Sequence, residues 1–412
     1  MTDAMTDATT NLAFTRRLFL QRGCALASLA ATVPCFIERS ALGMLGDPLL
    51  ASQPGVPDHR ILVIVQLGGG NDGLNTVIPY ADPDYARLRP RLGITRDRVL
   101  QLDARTGLHP ALQPLLPWWR EGELAIAQGV GYPGPNLSHF RSIEIWDTAS
   151  DADEALDDGW VGRAFARTPP PEDLAADGVV VGSAEAGPLE AAGPRVIRLA
   201  DPARFLREAR LATPAADGGN PALRHILEVE QSIVHAARGL DAAVRFSTDF
   251  PPGGFGAAIR TACQAIGSHG GIAAVKLSLG GFDTHANQAP RHENLLKELA
   301  TGLVALRAAL GELGRWDRTL LMTYGEFGRR AAENQSGGTD HGSASVQFVA
   351  GGRVRGGFHG AAPRLDRLDG SGNPVFTTDF RRLYATVLES WWGLDSAAIL
   401  GRRWAPLELI RA

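Results

Sequence analysis

Residues 60–67 read RILVIVQL, an unbroken apolar and β-branched run that ends at Gly68-Gly69-Gly70. A strand with one wet face alternates apolar and polar residues, whereas a strand covered on both faces does not. The run therefore predicts an interior strand of a layered fold, closed by a sharp turn. Comparable runs occur at residues 124–130 (LAIAQGV), 272–279 (IAAVKLSL), 319–322 (TLLM) and 346–350, with a weaker one at 179–181. Helical patterns lie between them. Leu295, Leu299, Leu303, Leu306, Leu310 and Leu313 recur at spacings of three and four, the signature of one helical stripe. Residues 110–121, 221–243 and 378–392 also read as helices, the last with Thr378 and Asp379 as N-cap candidates. Alternation of this kind predicts an α/β fold with a mainly parallel central sheet flanked by helices. Residues 150–220 are rich in Asp, Ala, Gly and Pro. They read as a loop-rich insertion within a single domain spanning 55–412.

The N-terminus carries a different signal. Arg16-Arg17 precede Leu18 and Phe19, then a short run of small apolar residues up to Phe36. A basic pair before a brief apolar stretch marks a twin-arginine leader. The run falls short of the roughly 20 apolar residues a bilayer span requires. Residues 1–45 are thus expected to be a signal peptide and linker. The expected export partner is the twin-arginine translocase, and the destination is periplasmic or secreted, with no membrane anchor once the leader is removed. Cys24 and Cys35 lie in or beside this leader, so its removal leaves Cys263 without an intrachain partner. A net charge of −4 makes no electrostatic case for nucleic acid.

Chemistry-bearing residues follow the strands. The first strand leads to Asn71-Asp72-Gly73-Leu74-Asn75 and the second to Asn136-Leu137-Ser138-His139. Residues 272–279 lead to Asp283-Thr284-His285, residues 319–322 to Glu326-Phe327-Gly328-Arg329, and Asp340-His341 precede the last strand. Ligands of open α/β sheets bind beyond the carboxyl ends of strands. A single Asp there is usually a turn former, and a lone Ser a helix cap. Carboxylates and imidazoles arriving together on Gly-flanked loops form a set suited to divalent ions such as zinc or manganese.

The segments LGGGNDGLNTVIPY, GGFDTHANQ, GEFGRR, GGTDHG and TDFRRLYATVLESWWGL resemble the bacterial family known as domain of unknown function 1501. That family is distantly similar to the alkaline phosphatase superfamily of phosphatases and sulfatases. The resemblance implies an alkaline-phosphatase-like fold, a divalent metal (zinc, manganese or calcium) and a small anionic ester substrate. It implies metal ligands at Asp72, Asp283, His285, Glu326 and His341, with Ser138 as nucleophile. His292 is the fallback for His285. One site, of Asp283, His285 and His341, is complete. The second, of Asp72, Glu326 and Ser138, lacks an imidazole because Phe327 stands where relatives carry His. Asn75, Arg141 or Arg329 would neutralise the ester oxygens. The expected partner of His139 is Asp147 or a backbone carbonyl.

Gly68, Gly70 and Gly73 also fit a dinucleotide fingerprint. Pro79 interrupts the helix that must follow, and no acidic residue closes a second strand about 20 residues on. The leading expectation is an exported metal-dependent phosphate or sulfate ester hydrolase. The alternative is a non-catalytic binding or assembly protein that retains the fold.

Overall fold

The computed structural model describes residues 60–199, 244–268 and 271–411. The expected leader, Cys24, Cys35 and the helix expected at 221–243 lie outside the described residues. In chain order the strands used here are β1 (Ile61–Leu67), β2 (Leu124–Gly131), β3 (Ala176–Val181), β4 (Val196–Leu199), β5 (Ile272–Leu279), β6 (Thr319–Tyr324), β7 (Gly328–Arg329), β8 (His341–Gly342), β9 (Ser345–Ala350), β10 (Gly357–His359) and β11 (Thr378–Asp379). The helices are α1 (Pro83–Leu88), α2 (His139–Thr148), α3 (Trp160–Arg167), α4 (Gly254–Ile266), α5 (Gln288–Glu312) and α6 (Arg381–Ala385).

The main sheet runs β10-β2-β9-β6-β1-β5-β3-β4, with β11 also paired to β2. Its pairings are parallel except those of β9, which lies antiparallel to β2 and β6. β9 arrives from the β7–β8 ribbon without a crossover helix, so it runs against its neighbours. The expected mixed α/β fold with a mostly parallel sheet is the fold observed.

β1 explains its own composition. Ile61, Val63, Val65 and Leu67 join the hydrophobic core on one face of the sheet, and Leu62 and Ile64 join the core on the other. Strand side chains alternate faces, so two covered faces demand an unbroken apolar run. The first face is sealed by α4 and α5. Leu299, Leu303, Leu306 and Leu310 of the expected stripe are fully buried there, with Leu295 and Leu313 packed at its edge. The two helices approach closely at Gly302, where a Cβ would stand 2.6 Å from Ile259 Cδ1. The second face is aromatic. Trp146 stacks on Phe380 at 4.3 Å between ring centroids, and Trp160 on Tyr384 at 4.4 Å.

Two expectations change. The segment expected to be an insertion near 150–220 supplies α3, β3 and β4, the last two forming one edge of the main sheet. β3 contains the weak run at 179–181, whereas β4, four residues long and preceded by Gly193-Pro194, gives no run of its own. The helix expected from residue 378 starts at Arg381, because Thr378 and Asp379 form a short strand paired beside the end of β2. The N-cap is Phe380, which makes no side-chain capping bond, while Asp379 just before it accepts the Arg381 N–H at 3.0 Å.

Leu303→Ala should lower unfolding free energy by about 3 kcal/mol, the usual cost of an unfilled core site. Urea denaturation followed by circular dichroism measures it; a loss below about 1 kcal/mol would show that the α5 stripe is not packed as described.

Candidate metal centre

The centre is assembled from four loops at the carboxyl ends of strands. β1 and β5 end side by side. Gly68 N–H donates to Leu279 O at 2.9 Å, and Phe282 N–H donates back to Gly68 O at 3.1 Å. Gly69 has φ +112°, and a Cβ there would lie 2.4 Å from Asp283 N. Only glycine allows the two loops to cross so closely. β6 leads to Glu326, and the β7–β8 ribbon sets Arg329 opposite His341. β2 leads through a loop to His139, the first residue of α2.

Asp283 is the hub. Its Oδ1 lies 3.0 Å from His285 Nε2 and 3.3 Å from His341 Nε2. Its Oδ2 lies 3.5 Å from His139 Nε2. His285 Nε2 and His341 Nε2 are 3.0 Å apart. His139, Asp283 and His341 offer ligand atoms all within 4.8 Å of one another. Bonds of 2.0–2.1 Å in a tetrahedral site put ligand atoms roughly 3.3 Å apart. The observed spacings suit one such ion. The side chains of His139, Asp283, His285 and His341 are 33%, 43%, 44% and 22% exposed, so solvent reaches the cluster.

The imidazoles are oriented by their other nitrogens. His341 Nδ1 lies 2.9 Å from Leu137 O, an atom that only accepts, so Nδ1 carries the proton. His139 Nδ1 lies 2.9 Å from Glu326 Oε1, and His285 Nδ1 lies 3.4 Å from Asp340 Oδ1. A ring protonated at Nδ1 alone presents its Nε2 lone pair toward Asp283. Outer partners of this kind fix the tautomer of metal-binding histidines. The Phe327 ring packs against His139 and His341 at 4.9 and 4.5 Å, which holds both rings in place.

Charge is arranged around the hub. Burial works to raise the Asp283 carboxyl, but the Arg329 guanidinium at 2.7 Å overrides it and holds the group down to about 2. Arg329 is itself buried. Its remaining donors go to Gly69 O, Gly70 O, Phe282 O and Thr339 O. The expected role of Arg329 in gripping a substrate is therefore replaced by a structural one, since its donors are already committed.

Other sequence-based assignments also shift. Asp283, His285 and His341 do come together. Glu326 stands behind His139: Oε1 accepts from Gly69 N–H at 2.7 Å and faces His139, while Oε2 is sealed without a partner. Asp72 is separate. Its Oδ2 takes Arg89 Nη1 at 2.5 Å and the Gln288 amide, with Asp72 and Arg89 side chains 1% and 0% exposed. Burial would raise the Asp72 carboxyl, yet Arg89 holds it below its usual range. His292 does not stand in for His285: it is buried, and its Nε2 lies 2.9 Å from Asn71 Oδ1. Ser138 is exposed at the N-cap of α2 and makes no capping bond. Asn75 is buried against Arg89 and Tyr85, and Arg141 reaches Glu144 and backbone carbonyls.

His139 is the residue that sequence reasoning underrated. Its expected partner Asp147 instead accepts the Tyr324 hydroxyl at 2.8 Å. The available signal was its place directly after Ser138 at the start of a helix following a strand. Burial pushes Asp147, nine positions into α2, up to about 7.

These residues define a mixed α/β protein with a candidate histidine–carboxylate metal centre at its strand ends. Residues 226–401 match the model of the family described as Protein of unknown function (DUF1501). No curated protein matches the chain by sequence. Among solved structures it is similar to a protein in the alkaline phosphatase superfamily from Vibrio parahaemolyticus, at 10% identity and TM-score 0.41, covering 89% of this chain and 76% of that one. It is also similar to the lipoteichoic acid synthase LtaP from Listeria monocytogenes, at 11% identity and TM-score 0.35, covering 83% and 76%. An alkaline phosphatase mutant with magnesium bound matches at 13% identity and TM-score 0.32, covering 72% and 91%. No helix among the described residues is long and apolar enough to cross a membrane.

Arg89→Met should cost about 3–5 kcal/mol, because it strands a buried carboxylate; equilibrium denaturation reads the loss. Asp147 gives a pH test. An ordinary Asp titrates near 4. A raised folded-state value means its stabilising contribution is complete below about pH 4 and is lost as pH rises through about 7. Asp147→Asn removes that dependence. Its thermal midpoint should therefore gain on the wild type between about pH 5 and about pH 8, whereas a constant difference would exclude a buried protonated Asp147.

Proposed function

We propose that this chain is an exported, metal-dependent hydrolase of phosphate or sulfate esters. The reading is carried by one observation: three imidazole Nε2 atoms, each with its Nδ1 facing an acceptor, converge on the Asp283 carboxylate. Lone pairs directed at one another repel unless a cation lies between them. Imidazole donors favour zinc or manganese over calcium, which prefers oxygen ligands. A bound divalent ion would lower the pKa of a coordinated hydroxyl or water and offset the charge of an anionic ester. Asp283, His139, His285 and His341 hold the ion, and Arg329 keeps Asp283 ionised and in place. Glu326 and Asp340 orient His139 and His285. The Ser138 hydroxyl, exposed one residue before His139, is the proposed nucleophile. Export by the twin-arginine translocase to the periplasm or beyond, as a folded domain spanning 55–412, fits a protein that loads its metal before it leaves the cytoplasm.

A binding or assembly role has one observation in its favour. Arg329, Arg141 and Asn75 are all committed to internal partners, so none of these three is free to grip an ester. Protein purified without chelator should carry zinc or manganese and hydrolyse an aryl phosphate or aryl sulfate. Asp283→Asn and His341→Ala should lose metal and turnover together, and Ser138→Ala should lose turnover with metal retained. Metal-loaded protein inert toward both ester classes would leave the binding role standing.

A further inference from the structure

The family resemblance places a metal ligand at Asp72, yet the charge of that carboxylate already has a partner. We propose that Arg89 is a built-in cation standing in for a second metal ion, so that the protein takes one divalent ion per chain. The inference rests on the metal reading of the Asp283 centre.

Arg89 follows α1 and enters the interior beneath the loop after β1. Nη1 donates to Asp72 Oδ2 and, at 2.9 Å, to Asn75 Oδ1. Nε donates to Ala331 O at 2.9 Å, and Nη2 to Arg330 O at 3.0 Å. Withdrawing the guanidinium would take a donor from four acceptors, and it does not lose its proton in proteins. It is therefore a permanent counter-charge, unlike an exchangeable ion.

The neighbours of Asp72 are donors, not ligands. The Gln288 amide nitrogen donates to Asp72 Oδ2, and the Gln288 amide oxygen is occupied by the Thr284 and Thr339 hydroxyls at 3.1 and 2.6 Å. His292 Nε2 faces Asn71 Oδ1, an acceptor, and so spends its proton there. Burial holds that imidazole neutral, its pKa lowered to about 4. Asp72 Oδ1 remains, sealed and without a partner. A single oxygen is no site for an ion that needs four ligands. Asp283 also pairs with a guanidinium, Arg329, but its side chain is 43% exposed and three imidazole Nε2 atoms face it across a space that solvent reaches.

The test is a metal count. The full chain is stripped of metal, reconstituted with excess zinc or, separately, manganese, desalted, and measured by mass spectrometry against protein concentration. One ion per chain is expected. Two ions would overturn the proposal while leaving the metal reading intact; none would sink the metal reading and this inference with it. The same count on Asp72→Asn should still give one ion, and on Asp283→Asn none. Loss of the ion from Asp72→Asn with native near-ultraviolet dichroism would also overturn the proposal. Should Asp72→Asn fail to fold, the wild-type count decides alone.

Discussion

The buried guanidinium of Arg329 is the joint on which the centre depends. It binds carbonyls of the loop after β1, the loop after β5 and the approach to β8, and then the Asp283 carboxylate itself. Loops that converge on one point carry backbone acceptors with no sheet partner, and leaving these unpaired in the interior is costly. One planar group with five N–H donors satisfies them together. The same group supplies the positive charge that keeps Asp283 ionised. Structural and electrostatic roles therefore reside in one side chain, which is why it is unavailable to a ligand.

A second guanidinium repeats the solution a short distance away. Arg89 ties Asp72 and Asn75 to the backbone at Arg330 and Ala331, so the two arginines brace neighbouring loops. Between them the chain divides its acidic residues by environment. Asp72 is sealed with a fixed cation, whereas Asp283 is partly open and meets imidazole nitrogens. Phe327 belongs to this arrangement as a wall. An aromatic ring against His139 and His341 limits their rotation.

The fold was largely legible because its signals are local. The run at 60–67 announces a strand covered on both faces, and the leucine stripe of α5 announces a helix with one buried side; both are found. The strand at 176–181 showed only as the weak run at 179–181 and the one at 196–199 was missed; both gain stability from pairing, with β5 and with each other, which is not a local signal. The site was legible in part. Asp283, His285 and His341 followed from strand-end loops with glycine on either side. Asp72 and Glu326 occupy similar sequence contexts but differ in what reaches them, Arg89 in one case and His139 in the other.

By itself the sequence determined the layered α/β order, the glycine turns after the strands and the supply of carboxylates and imidazoles, since each depends on neighbours along the chain. It also carries the Arg16-Arg17 motif from which a twin-arginine leader is expected, outside the described residues. Only the tertiary structure decided which acid keeps a free face. That choice turns on residues 17 positions away for Asp72 and 187 positions away for Glu326. Asp72 and Asp283 each meet a guanidinium, and what separates them is burial, which removes water from one and leaves the other open to it.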